Sequence, residues 1–213
     1  SMRKVYYLLI TVYRIVKYFF SKTKRYSNIL IYILINRPQS ILEIGVYRGL
    51  RSKEMIEAAK IFNNKIKYYG FDLFEELKPD ILKKELSKIP VKKKYIYKNL
   101  SKIADVKLFK GYTNINLQKL KKKVDFVFID GGHSVSTINS DWNNCKNFIK
   151  KNTIIIFDDY YIDNKNIIKK FGCNKTIQKI PKSKFEKKIC NFTDEFIYLG
   201  KKLKIKMVYI KKL

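Results

Sequence analysis

The chain has 213 residues, 46% of them hydrophobic, which suffices for one domain with a full core and excludes a disordered chain. Its three cysteines, Cys145, Cys173 and Cys190, are odd in number and form no Cys-x-x-Cys, which argues against a disulfide framework or a zinc site and suits a reducing, cytoplasmic compartment. The net charge of +29, from 47 Lys+Arg against 18 Asp+Glu, attracts nucleic acid, anionic lipid or acidic glycan, but the lysines are spread along the whole chain and compositional drift explains them equally well.

Residues 1–36 form a basic extension and residues 37–213 the domain proper. From Arg3 to Arg25 the sequence is basic, aromatic and aliphatic, and its longest uncharged run, Val5 to Tyr13, is far short of the roughly 18–20 residues of a spanning helix. Arg3, Tyr7, Arg14, Lys17 and Ser21 fall near one helical face. Such an amphipathic helix can lie on an anionic membrane surface, at the inner face of the membrane, or pack on the domain or on a second subunit in a homodimer; packing is preferred. Ser27–Asn36 reads as a short helix ended before Pro38.

The chain is organised around Ile41-Leu42-Glu43-Ile44-Gly45-Val46-Tyr47-Arg48-Gly49, a buried strand breaking into a Gly-x-x-x-Gly turn that opens a helix over Ser52–Phe62. A second strand, Lys67–Phe71, ends at Asp72, which suits ribose hydroxyls or a helix cap. The Lys-rich segment Leu77–Ile103 is longer than a crossover needs and reads as an insertion over the site. Strand three, Val106–Lys110, leads into Gly111-Tyr112-Thr113-Asn114, and a helix begins at Leu117. Strand four, Val124–Ile129, ends in Asp130-Gly131-Gly132-His133; the helix beyond carries Val135, Ile138, Trp142 and Cys145 on its core face. Strand five, Thr153–Phe157, ends in Asp158-Asp159, and two strands near Glu195–Gly200 and Lys204–Lys211 predict a terminal antiparallel hairpin.

Ligands of open α/β sheets bind outside the carboxyl ends of the strands. Four strands here end in acid. Asp130, Asp158 and Asp159 converge there if their strands are adjacent, and three carboxylates at one place need protons or a hard cation to neutralise them; oxygen-only ligands favour Mg²⁺, Mn²⁺ or Ca²⁺. His133, the one histidine, stands three residues beyond Asp130 and suits a general base for a hydroxyl that the metal polarises.

These motifs, in this order, resemble the class I S-adenosylmethionine-dependent methyltransferases, and among them the small metal-dependent O-methyltransferases of catechol and bacterial sugar or macrolide type. The resemblance implies a doubly wound, Rossmann-like, seven-stranded sheet, mostly parallel with an antiparallel C-terminal hairpin. It implies that Glu43, Gly45 and Gly49 line the methionine end of the cofactor with Tyr47 near its carboxylate, Asp72 binds the ribose, and Thr113 lies in the loop beside the adenine. It implies that Asp130 lies against the cofactor too. The family's serine after the second glycine has its counterpart in Ser52, one position on, with Arg51 in the expected place. Asp130, Asp158 and Asp159 would bind the metal, and His133 falls where catechol-type relatives carry a lysine base. The expected activity is methylation of a hydroxyl on a sugar, glycan or other small acceptor. An RNA ribose methyltransferase using the positive charge is the alternative enzyme, though nucleic acid is the less favoured partner; a non-catalytic module that binds a membrane or partner through residues 3–25 is the third reading.

Overall fold

The computed structural model describes residues 2–162, 164–198 and 200–213. Ser1, Asp163 and Leu199, which fall in the extension, the stretch after strand five and the hairpin expected above, lie outside them. The chain runs α1 (Met2–Phe19), α2 (Ser27–Asn36), β1 (Ser40–Ile44), α3 (Leu50–Ala59), β2 (Lys67–Asp72), α4 (Pro79–Lys84), α5 (Lys93–Leu100), β3 (Asp105–Lys110), α6 (Thr113–Asn116), β4 (Val124–Ile129), α7 (Val135–Cys145), β5 (Ile149–Ile162), α8 (Lys165–Lys170), α9 (Asn174–Lys179), β6 (Phe185–Ile189), β7 (Asp194–Tyr198) and β8 (Lys201–Lys212).

The sheet order is β3-β2-β1-β4-β5-β8-β6, with β7 also paired to β8. Strands β1 to β5 are parallel, and β8 returns antiparallel to β5. Both β6 and β7 pair with β8, β6 along Val208–Lys212 and β7 along Lys201–Ile205, so they share one edge of β8 as a single interrupted strand. The path across the sheet is thus the expected seven strands wide, with eight strands among the described residues.

Side-chain alternation builds the two cores. Ile41, Phe126, Phe128, Ile154 and Ile156 face α1, α2, α3 and α5, while Leu42, Ile44, Val127, Ile129, Ile155 and Phe157 face α7 and α9. Apolar residues on both faces are what made these strands legible as continuous runs.

Several boundaries differ from expectation. The first crossover helix starts at Leu50 and ends at Ala59, and the helix after β3 starts at Thr113 and lasts one turn. β5 continues past Asp158-Asp159 to Ile162 through a bulge between Phe157 and Tyr160. β6, Phe-Glu-Lys-Lys-Ile, was not anticipated, because an edge strand needs only one buried residue in two and lysines guard its open side.

The N-terminal helix packs on α3 through its polar face. Arg14 Nη1 lies 2.6 Å from Glu57 Oε2, the Tyr18 hydroxyl donates to Glu54 Oε2 at 2.8 Å, and Arg51 pairs with the same carboxylate. Burial raises Glu54 above the usual carboxylate range, with the Arg51 charge opposing it.

Candidate active site

The site begins at the turn after β1. Gly45 has φ +93°, and a Cβ there would fall 1.9 Å from the Asp130 carbonyl oxygen, so only glycine lets the β1 turn lie against the β4 turn. Tyr47 is a non-glycine residue at φ +52°. Asp72 holds it there: its Oδ2 accepts from the backbone N–H groups of Val46 and Tyr47, both at 2.8 Å, and its Oδ1 accepts from Phe74 at 2.9 Å. A carboxylate offers about four lone-pair positions. Three are taken, so Asp72 first pins two turns and retains room for one hydroxyl.

Glu43 stands beneath that turn, 1% exposed. Its Oε2 accepts from Ser52 Oγ at 2.5 Å and from the Tyr68 hydroxyl, while its Oε1 has no partner. Burial raises its carboxyl to about 8, against the lowering effect of the two hydroxyls, with Asp72 and Glu54 adding to the rise. Ser52, expected on the cofactor, is fully buried and turned inward onto Glu43. Thr113, expected beside the adenine, donates to Asp141 Oδ1 at 2.5 Å. That bond ties the loop after β3 to α7, and burial pushes Asp141 up to about 7.

Across Gly45, the turns after β4 and β5 bring Asp130, His133 and Asp159 together, one ligating atom from each lying within 4.8 Å of the others. His133 Nδ1 lies 2.7 Å from the Glu85 carbonyl. A carbonyl only accepts, so Nδ1 carries the proton and Nε2 is directed to Asp159 Oδ2 at 3.3 Å. Burial, then the charges of Asp158 and Asp159, raise Asp130 well above the usual range. Burial lifts Asp159 to about 6, with His133 opposing.

Asp158 does not join this set. Consecutive strand residues project to opposite faces, and Asp159, at φ +61°, sits in the β5 bulge. Asp158 is therefore turned to the N-terminal side, where Arg25 holds it in a fork: Nε to Oδ1 at 2.7 Å and Nη2 to Oδ2 at 2.8 Å. Arg25 Nη1 reaches Asp194 Oδ2 at 2.7 Å, and its guanidinium lies 4.4 Å from the Tyr26 ring centre. Of the three acids expected together, Asp130 and Asp159 converge with His133, while Asp158 is held by Arg25.

Four residues escaped the sequence reading. Glu85 comes from the insertion after β2: its Oε1 accepts from Ser134 Oγ at 2.9 Å and Thr137 Oγ1 at 2.8 Å, its Oε2 from the Ser134 N–H at 2.8 Å, so the insertion does lie over the site. Tyr68 and Asp141 sat inside apolar patterns and gave no signal. Arg25 did: the chain has six arginines among 47 basic residues, all before residue 52, and a forked guanidinium suits a buried carboxylate better than an ammonium does.

The sequence matches the methyltransferase domain family over residues 42–160, more than half of the chain. No curated protein matches it in sequence. Among solved structures it is similar to an O-methyltransferase from Bacillus cereus in complex with S-adenosylhomocysteine, at 14% identity and TM-score 0.58, covering 100% of this chain and 91% of that one. It is similar to the O-methyltransferase TomG from Streptomyces achromogenes, involved in tomaymycin synthesis and bound to S-adenosylmethionine, at 11% identity and TM-score 0.57, covering 90% and 81%. An rRNA methylase from Streptococcus thermophilus matches at 10% identity and TM-score 0.54, covering 87% and 93%. The family match and the sheet order agree: the chain belongs to the methyltransferase domain family and carries the class I fold of the S-adenosylmethionine-dependent O-methyltransferases.

Proposed function

We propose that the chain transfers a methyl group from S-adenosylmethionine to a hydroxyl of a sugar, glycan or other small acceptor, with a divalent cation held by Asp130, Asp159 and His133. The observation that carries the reading is the convergence of those three side chains beside the glycine turn. They fit a cation: two desolvated carboxylates, both raised by burial and mutual charge, are relieved by one positive ion. The imidazole nitrogen shifts the preference from Mg²⁺ toward Mn²⁺ or another ion that accepts nitrogen as readily as oxygen. A bound cation would supply an electrostatic pull that eases loss of the acceptor's proton.

The chain's own residues supply the rest. Glu85 fixes the imidazole so that Nε2 is held toward Asp159. Gly45 and Gly49 let the turn after β1 close against the β4 turn and Ile96, and Asp72 keeps one lone-pair position for a ribose hydroxyl. The unpartnered Glu43 Oε1 is an orphaned acceptor that suits the cofactor's ammonium group. Methyl transfer is an in-line displacement, so holding the two substrates in register does most of the work.

The test is calorimetry. S-adenosylhomocysteine is titrated first, then Mn²⁺ and Mg²⁺ into wild type, Asp159→Asn, His133→Ala and Asp158→Asn. The first two variants are expected to lose at least about tenfold in metal affinity, and Asp158→Asn less than about threefold. An equal loss in Asp158→Asn, or no metal binding at all, would sink the metal assignment while leaving the cofactor result standing. The charge of +29 favours a second reading, an RNA acceptor held by its phosphates. That reading requires RNA binding that weakens steeply with salt and turnover on RNA where sugars give none.

A further inference from the structure

The N-terminal helix is packed with its apolar side outward. Tyr7, Thr11, Arg14 and Tyr18 face α3, and the opposite side is open: Leu9 is 65% exposed, Phe20 82%, and Val5, Val12, Val16 and Phe19 about half. These residues recur at three- and four-residue steps, so they form one continuous stripe along α1 and the turn beyond it. A soluble surface rarely leaves such a stripe bare, and it marks a contact. The polar face of the helix is committed to Glu54 and Glu57, so turning the helix over would break that buried network.

Charge decides what the contact is. Arg3, Lys4, Lys17, Lys22 and Lys24 are exposed along the edges of the stripe and in the turn after it. No Asp or Glu occurs before Glu43. A second copy packed stripe to stripe would bring these cations together with no acid of the segment to answer them, on bodies each carrying +29. An anionic bilayer meets both features: the apolar stripe enters the boundary between headgroups and chains, and the flanking lysines stay among the phosphates. None of the described helices is long and apolar enough to cross a membrane, so the contact is a surface one. We propose that α1 docks the enzyme flat on an anionic lipid bilayer through the Val5–Phe20 stripe.

The test is sedimentation of the full chain with vesicles, comparing phosphatidylglycerol–phosphatidylcholine mixtures with pure phosphatidylcholine. Because a strongly cationic protein binds anionic vesicles by charge alone, the deciding variant keeps the charge: Leu9→Ser with Val16→Ser, both outside the face packed on α3. Wild type is expected to partition at least tenfold more strongly to the anionic vesicles, and the double variant to lose at least fivefold of that with an unchanged circular dichroism spectrum. Lys4→Glu with Lys17→Glu should lower partition to the anionic vesicles further than high salt lowers it for the double serine variant. Equal partition of wild type and Leu9→Ser/Val16→Ser overturns the proposal. So does a dimer in sedimentation equilibrium that the same variant dissociates, since a second copy would then cover the stripe.

Discussion

Replacing Arg25 with alanine is expected to destabilise the fold by about 3–5 kcal/mol, the usual cost of stripping one partner from a buried ion pair. The side chains of Asp158 and Asp194 are 1% and 3% exposed, and Arg25 is the cation that bridges them. The loss should depend on pH, and its sign follows from the neighbouring acids. Arg25 is among the charges that lower Asp130 and Asp159. Without it both rise further. An acid raised in the folded state contributes stability that is present at low pH and lost as pH climbs through its folded value. The variant should therefore fall further behind wild type at pH 8 than at pH 5, read by urea denaturation at both. Arg25→Lys should recover only part of the loss, because an ammonium restores the charge without the fork. A deficit under about 1 kcal/mol, flat with pH, would place the pair in solvent rather than in a buried clamp.

The second large effect belongs to Glu43. Its carboxyl is raised from 4.5 to about 8, so the protonated form is the one that the fold favours. The ligand-free protein should draw its full stabilisation from this group below pH 4.5 and lose it as pH rises through 8, by about 5 kcal/mol at most at 1.36 kcal/mol per unit. Glu43→Gln keeps an acceptor for Ser52 and Tyr68 and cannot ionise. Its stability should change far less between pH 5 and 8 than wild type's, and the two proteins should diverge as the solution becomes alkaline. Denaturation at pH 5, 6.5 and 8 reads the divergence. Parallel curves would show that Glu43 is not the titrating group. The same group predicts that cofactor binding releases a proton in wild type, as the orphaned Oε1 gains a cationic partner, and none in the variant; calorimetry in buffers of different ionisation enthalpy separates them.

The parallel half of the sheet was legible because β1, β2, β4 and β5 are buried on both faces, and residues such as Ile154, Ile155 and Ile156 can only be a strand there. The glycine turn and its acids were legible for a similar reason: Gly45 answers a backbone demand that no other residue meets. What lay beyond reach was the direction of each carboxylate. Asp158-Asp159 reads as a pair in one dimension, but the bulge sends one member to Arg25 and the other to His133. Glu85 and Arg25 arrive from segments with no motif, and only the packed fold brings them to the acids. Ser52 shows the opposite case, a residue with the right spacing whose hydroxyl is spent holding Glu43.

The Arg25 clamp also sets an order of events. Its two carboxylates lie 133 and 169 residues further along the chain. At synthesis rates of about 5–20 residues per second, Asp194 emerges roughly 10–30 s after Arg25. Until Asp194 emerges, Arg25 has only Asp158 to pair with, and the edge of β5 that β8 will cover is open. Contacts of such long separation close slowly even in the finished chain. The clamp is therefore completed late in synthesis, and any chain cut short before β7 retains at most its Arg25–Asp158 half, without the second carboxylate of Asp194.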